Sequence, residues 1–309
     1  MNSPSPFSLP ALPRASAWPL VRALFKRPVR PSAQPVQASY RLDRIDTDHV
    51  RRYCDAFGFP PGPVPLTYLY LLAQRAQLAT MLDGAIPFRI VGLIHVSNDL
   101  AMHCQVRTDA PLVLVTTLSM PEPGANGAVE CMLETVASAD ATTVFTCTSR
   151  YLIKRGQRIK HAPAPPSVAP VGDVLGEWVV TADAGRRYAA LSGDWNPIHL
   201  WPWSARLMGM HAPIIHGMET MARVCGAFEQ SANRRVTSLT CRFKRAVPLR
   251  ASATLLACEV PGSFVVLRND RVAVEGMLGY EKPGSEKPGS GLTFGHDPDI
   301  RVVKSRGQV

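Results

Sequence analysis

The stretch LSGDWNPIHLWPW, residues 191–203, holds the densest chemistry in this 309-residue chain. Asp194 and His199 put a carboxyl and an imidazole five positions apart, with Asn196 and Pro197 between them. Asn-Pro favours a tight turn, and the proline ring pins its own φ while restricting the residue before it. A stiff turn of this kind can aim two proton-transfer groups into one cleft. A carboxylate and an imidazole flanking one water can remove its proton and return a proton elsewhere. That is the chemistry of hydrating a double bond, or of the reverse dehydration. Spacing alone fits a structural reading equally well, with Asp194 as a cap and His199 as a hydrogen-bonded core histidine.

A second signal follows at PIIHGMETM, which places His216 and Gly217 at a helix start. The first amides of a helix have no internal acceptor and sit at its positive end. Glycine lets a ligand approach the backbone closely. Together these make an oxyanion site for a thioester carbonyl, whose polarisation acidifies the α-carbon and leaves the β-carbon electrophilic. Close helix–sheet packing is the alternative reading of Gly217.

Two segments of similar plan must hold these groups. RRYCDAFG from Arg51 and RRYAALSG from Arg186 share Arg-Arg-Tyr and a glycine at the same offset, Gly58 and Gly193. Both suit a short helix ended by a glycine cap. A long apolar helix follows each, over 66–82 and 216–232. Strand-like runs come next, as FRIVGLIHV, LAMHCQVRT, LVLVTTLSM, AVECMLETVAS and TTVFTCTSRYLI in the first half, and RVTSLTCRF, ASATLLACEV, SFVVLRN and RVAVEGMLGY in the second. A helix followed by an antiparallel meander, twice, is an α+β duplication. A sheet wrapped around each helix explains why both helices are apolar nearly all round. Aligned at Arg-Arg-Tyr, Asp194 falls opposite Phe59 and His199 opposite Val64. Only the second copy carries the acid and the base, so the pair is not a by-product of turn geometry.

YAALSGDWNPIHLWPWSARLMGM followed by IIHGM resembles the signature of the MaoC-like dehydratases, the (R)-specific, type-two enoyl-CoA hydratases. The similarity runs from Tyr188 to about Met221 and includes Ala205. FKRAVPLRASATL, 243–255, resembles a later strand-turn-strand element of that family but has Arg250-Ala251 where a glycine is common. The resemblance implies a double hotdog fold whose first copy is non-catalytic. It assigns water activation and proton shuttling to Asp194 and His199, shaping of the turn to Asn196, and the oxyanion contact to the Gly217 amide. His216 and Met218 would flank the substrate. Cys225 would stand near His199, where some relatives place a hydroxyl. The implied substrate is an acyl thioester of fatty-acid metabolism, on coenzyme A or an acyl carrier protein. No separate cofactor is expected, since coenzyme A or phosphopantetheine enters as part of the substrate.

Composition narrows the partners. The net charge of +10 suits an anionic carrier, and Arg242, Lys244 and Arg245 are candidate phosphate contacts. A solvated sheet face is the plainer reading of each of the three. No nucleic-acid motif accompanies the charge. No run of about 18 apolar residues occurs, so no integral membrane contact is expected. The seven cysteines (54, 104, 131, 147, 225, 241, 258) are scattered and never form CxxC, which favours a reducing, cytoplasmic setting and neither disulfides nor structural zinc. The expected metal content is none. The set His199, His211, His216 and Asp194 matches no common zinc spacing. His95 and His103 fall in strand-like runs and read as core or surface fillers.

Residues 1–38 carry eight prolines, and no acid occurs before Asp43. They read as a disordered basic arm. The remaining expected divisions are a non-catalytic half at 39–160, a proline-rich linker at 161–172, a catalytic half at 173–281 and a flexible tail at 282–309. A homodimer is compatible with the plan. A hotdog thioesterase and a non-enzymatic acyl-thioester binding protein are the competing functions.

Overall fold

The computed structural model describes residues 9–29, 35–124, 126–154 and 171–281. Residues 161–170 of the linker expected at 161–172, and the tail from 282, lie outside the described residues. The elements run in order as helix α1 (Trp18–Phe25), strand β1 (Val36–Leu42), α2 (Thr47–Phe57), α3 (Leu66–Asp83), β2 (Ile94–Met102), β3 (Leu112–Ser119), β4 (Val129–Ala139) and β5 (Thr142–Lys154). The second half follows as β6 (Gly172–Val179), α4 (Ala184–Ser192), α5 (Pro202–Leu207), α6 (Gly217–Ala232), β7 (Val236–Phe243), β8 (Ser252–Cys258), β9 (Ser263–Arg268) and β10 (Arg271–Tyr280).

All ten strands form one sheet, ordered β1-β3-β4-β5-β2-β7-β10-β9-β8-β6. Each half contributes five strands, and the second half's order mirrors the first. The halves join at an antiparallel pair, β2 with β7, in which Leu100 faces Leu239 and Asn98 faces Cys241. This is the double hotdog arrangement. Helix α3 is buried along almost its whole length and α6 nearly as much, because each lies within the curve of the sheet. A large apolar cluster runs through both halves, including Tyr53, Leu69 and Phe145 from the first and Met221, Leu239 and Phe264 from the second.

The repeated corner expected from Arg-Arg-Tyr is present. Helix α2 ends at Gly58 with φ 65°, and α4 ends at Gly193 with φ 78°. Both glycines adopt the left-handed conformation, and their N–H groups donate to Cys54 and Ala189 carbonyls respectively. Two strand assignments differ from the sequence expectation. FRIVGLIHV and LAMHCQVRT are not two strands. One strand, β2, takes the end of the first run and the start of the second, and residues 88–93 are irregular. Strands β1 and β6 were hidden, partly within the stretches read as arm and linker, because they are short sheet edges of mixed polarity.

The arm is the main correction. Residues 9–29 are ordered against the first half. The Leu12 N–H donates to the Arg41 carbonyl at 2.7 Å, and the Arg41 N–H donates to that of Pro10 at 2.8 Å. Arg22 pairs with Asp83 at 2.7 Å, and Lys26 Nζ donates to the Leu82 and Gly84 carbonyls at 2.6 and 2.7 Å. Proline is harmless in the first turn of a helix, and cations are favoured beside the open carbonyls of a helix C-terminus. Arg22 and Lys26, two of the basic residues that suggested a solvated tail, instead clasp the end of α3. Ala23 is buried in a second apolar cluster with Met81, Leu82, Ile86 and Phe88.

Candidate active site

Asp194 begins the turn that leaves the Gly193 cap. Its Oδ1 accepts the Asn196 N–H at 3.1 Å, and its own N–H donates to Ser192 Oγ at 3.1 Å. Asn196 Oδ1 accepts the Ile198 N–H at 3.4 Å, capping a single 3-10 turn over Pro197–His199. The turn is therefore braced by its own side chains, as the Asn-Pro pair suggested.

His199 is buried, and its Nδ1 lies 2.9 Å from the Ile214 carbonyl. A carbonyl only accepts, so Nδ1 carries the proton and Nε2 is left with its lone pair. His216 caps α6, and its Nε2 lies 3.0 Å from the Asp194 carbonyl, so there the proton is on Nε2. The two rings stack with centroids 3.7 Å apart, and Tyr188 packs on His216 at 4.8 Å. Gly185 makes room for the turn from below. A Cβ built there would lie 1.9 Å from the His199 carbonyl oxygen.

The electrostatics separate acid from base. Burial pushes the Asp194 carboxyl up, but His216, His199, the Asn196 N–H and the Gln74 amide together hold it below its ordinary value. Burial lowers His199, opposed in part by Asp194 and the Ile214 carbonyl. Burial and the neighbouring His199 lower His216 to about 3. At neutral pH the site thus holds an ionised carboxylate beside two neutral imidazoles.

Asp194, His199, Asn196, His216, Gly217 and Met218 all line one cleft of about 520 Å³. Lys244 and Arg245 line it too, with exposed side chains that place them at its mouth. Arg242 does not line it. In β7, Cys241 faces inward and Arg242 outward, so strand alternation carries that side chain to the outer face. The phosphate-contact expectation is therefore corrected for Arg242. The Gly217 position serves the packing reading as well as the ligand reading. A Cβ there would meet the Phe243 ring at 2.5 Å.

The sequence left several cleft residues unassigned, and the first half supplies some of them. Gln74 Nε2, from α3, donates to Asp194 Oδ2 at 2.8 Å. A glutamine inside a helix otherwise buried and apolar was the available signal, because a buried amide needs a partner. His95, read as a filler, lines the cleft between Tyr151 (ring centroids 4.6 Å) and Tyr70 (5.9 Å), and burial lowers its pKa to about 4. The Tyr188 hydroxyl and His95 Nε2 are buried without a partner among the described residues. Cys225 is also corrected. It does not line the cleft, and its electrostatic neighbours are Tyr53, Glu229 and Cys241. Thr220, one turn into α6, lines the cleft instead.

Ligand atoms of Asp194, His199 and His216 fall within 4.8 Å of one another, so a metal must be considered. His211 is not in that set. The two rings lie face to face at an interplanar angle of 27°, with one nitrogen of each already on a backbone carbonyl. Stacked rings do not radiate from a common centre as tetrahedral ligands do. The geometry fits a hydrogen-bonded acid–base unit better than a metal cage.

A sheet-wrapped helix pair with an Asp–His turn facing a helix N-terminus defines the class of protein. The family model described as MaoC like domain matches residues 172–258. The chain is 31% identical over 233 residues to 3-hydroxyacyl-thioester dehydratase X of Mycobacterium tuberculosis, an alignment that covers 73% of this chain and 81% of that protein. The crystal structure of HtdX from Mycobacterium tuberculosis superposes with a TM-score of 0.62 at 24% identity, covering 78% of this chain and 98% of that one. A MaoC-like dehydratase from Phytophthora capsici gives 0.63 at 17% identity, covering 82% and 98%. The chain belongs to the MaoC-like dehydratase family.

Proposed function

We infer that the protein is a hydro-lyase acting on acyl thioesters of fatty-acid metabolism. It adds water to a 2-enoyl thioester or removes it from the (R)-3-hydroxyacyl form, with the acyl group on coenzyme A or an acyl carrier protein. The observation that carries this reading is convergence. An ionised carboxylate, a neutral imidazole with a bare Nε2, and the first amide of α6 share one buried cleft.

In the hydration direction the enoyl thioester lies with its carbonyl oxygen at the Gly217 N–H. A water sits between Asp194 and His199. As its oxygen bonds to the β-carbon, one O–H bond breaks and the proton passes to the Asp–His pair. The double-bond electrons move onto the α-carbon and the thioester oxygen, where the Gly217 amide stabilises the charge. The pair then returns a proton to the α-carbon. Dehydration runs the same steps backwards. The Ile214 carbonyl keeps the proton on His199 Nδ1, and the stack on His216 holds the ring's orientation.

The test is loss of the conjugated-thioester absorbance with crotonyl, decenoyl and branched enoyl substrates, followed by chiral analysis of the product. Water addition giving the (R) alcohol is the expected result. Hydrolysis of the thioester without hydration would favour the thioesterase reading. Tight binding with neither reaction would favour the binding-protein reading. Elemental analysis of the purified protein checks the donor cluster at Asp194 for metal.

A further inference from the structure

A second cavity adjoins the first, with side chains in common. It measures about 90 Å³ and is lined on one side by Asp194, Asn196, Gln74 and Tyr151, which also line the main cleft. Gln77, Leu78, Met81, Ile90 and Ala23 of α1 also line it. Its far walls are mostly apolar, and its near end is the carboxylate proposed to handle water. Lys244 and Arg245 stand at the main cleft's mouth, where an anionic carrier would be held. A thioester with its carbonyl at Gly217 therefore has its polar arm toward the mouth and its hydrocarbon tail free to run past Gln74.

Helix α1 belongs to neither hotdog half. Yet Ala23 lines the second cavity, and the contacts of Arg22 and Lys26 with the end of α3 hold the helix in place. Further along the arm, a Cβ on Gly193 would lie 2.9 Å from Ala15 Cα, so the arm also passes directly over the cap that precedes Asp194. We propose that α1 is the end wall of an acyl-tail cavity and that the side chain at position 23 sets the longest acyl chain the site accepts. This inference rests on the hydro-lyase reading for the placement of the thioester, but not for the existence of the tail cavity.

The physical basis is simple. An apolar chain gains affinity for each methylene it buries until it meets a wall. Beyond that length the tail must bend, displace α1 or stay in water. A small residue at the wall sets a longer limit than a large one.

The experiment uses the full chain and acyl-phosphopantetheine thioesters, the part common to both carriers, in 2-enoyl and saturated forms of four to sixteen carbons. Hydration rates are read with the first set and affinities by calorimetry with the second. In Ala23→Phe, the kcat/KM of the longest chain relative to crotonyl should fall about tenfold or more. If the larger ring levers α1 away, seen as new proteolytic cleavage within residues 9–29, that ratio should rise instead. Either change supports the wall. Met81→Ala, which enlarges the cavity, should move the optimum to longer chains. Phe25→Ser, on the exposed face of α1, should leave the ratio alone. The proposal is overturned if neither Ala23→Phe nor Met81→Ala changes the length profile, or if Phe25→Ser changes it equally. A protein that hydrates nothing, but whose affinity for saturated thioesters depends on chain length and shifts in these variants, keeps the wall and loses the hydro-lyase reading. Hydration with an unchanged profile does the reverse, and a protein that neither hydrates nor binds any of the thioesters overturns both.

Discussion

The corners after Gly58 and Gly193 start alike and end differently. Eight positions separate Gly58 from the first residue of α3, whereas 24 separate Gly193 from the first residue of α6. The short corner is plugged by Phe59 and Val64, both at 5% exposure or less. The long corner turns its Asp and His inward and adds α5 before the helix begins. Each long helix braces the other half's corner. Gln74 of α3 holds Asp194, and Gln230 of α6 donates to the Gly58 carbonyl. A Cβ on Gly226 of α6 would meet the Phe57 carbonyl at 2.3 Å, so that crossing is equally tight. The two corners thus share a plan, one plugged by apolar side chains and the other open to a cleft. The filled half still reaches into the open one.

The sharpest way to break this comparison is to exchange what the corners contain. Asp194→Asn and His199→Ala should each lower kcat by about 10²–10⁴, the usual cost of losing a general acid or base, with the unfolding midpoint little changed. Phe59→Ala should do the opposite, costing about 3–5 kcal/mol of stability while the chemical step survives. A Phe59 variant that keeps its stability and loses kcat would mean the wrong corner was assigned. His216→Ala should cost nearly as much in kcat as Asp194→Asn or His199→Ala, because its ring stacks on His199.

Next in size is the helix start. Losing one oxyanion donor costs about 10²–10³ in kcat. Gly217→Ala pushes a methyl into the Phe243 ring, so a fall in rate alone has two explanations. Pairing it with Phe243→Leu separates them. If the double variant regains near-parental turnover, Gly217 serves packing and the oxyanion donor lies elsewhere. A persistent loss in a well-folded double variant supports the amide.

Much of this was legible in the chain. Arg-Arg-Tyr with its glycine located both corners because a left-handed cap needs a residue without a Cβ. Both long helices matched to within a residue, since all-round burial leaves an unbroken apolar run. The arm was misread because prolines and cations were counted without a partner for them, and their partner is the carbonyl end of α3. Gln74 and Tyr151 stayed unassigned, and His95 read as a filler, because their roles depend on the docking of the two halves, which no local pattern encodes. Arg242 was misassigned within CRFKR because charge was read as a cluster, while a strand sends Arg242 and Phe243 to opposite faces.

The pH dependence tests the open half. His216 at about 3 and His95 at about 4 bind protons more weakly folded than unfolded. The unfolded chain therefore holds more protons between those values and the usual histidine range near 6.5, and stability must fall as pH drops through that window. Asp194, also lowered, adds to the loss only below the usual carboxylate range. Glu229, raised by burial to about 7, opposes part of this fall, and Cys54 and Cys131, raised to about 12, cost stability above the usual thiol range, so the unfolding midpoint should decline on both sides of neutral pH. His95→Phe should shallow the decline between pH 6.5 and 4. An equal slope in that variant would mean that His95 is protonated in the folded protein. The acid limb of kcat/KM should likewise lie below the usual histidine range, because His199 is held neutral.

The smallest expected effect concerns the cations of one short stretch. Lys244 and Arg245 line the cleft, with Lys244 Nζ 2.7 Å from Glu275 and Arg245 Nη1 2.5 Å from the Val272 carbonyl. Arg242, on the outer face opposite Glu275 in the β10 register, does not line the cleft. If the carrier phosphates are held at the mouth, Lys244→Ala and Arg245→Ala should raise KM a few-fold, since exposed charge contacts are worth about 1 kcal/mol or less. The increase should shrink at high salt and vanish with a phosphate-free pantetheine thioester. Arg242→Ala removes the same charge from the outer face and should change neither KM nor its salt dependence. Equal KM increases in all three variants would show that only long-range charge matters. An increase confined to Lys244 and Arg245 would place the anionic end of the substrate at the cleft mouth, opposite α1, and so fix the direction in which the acyl chain enters.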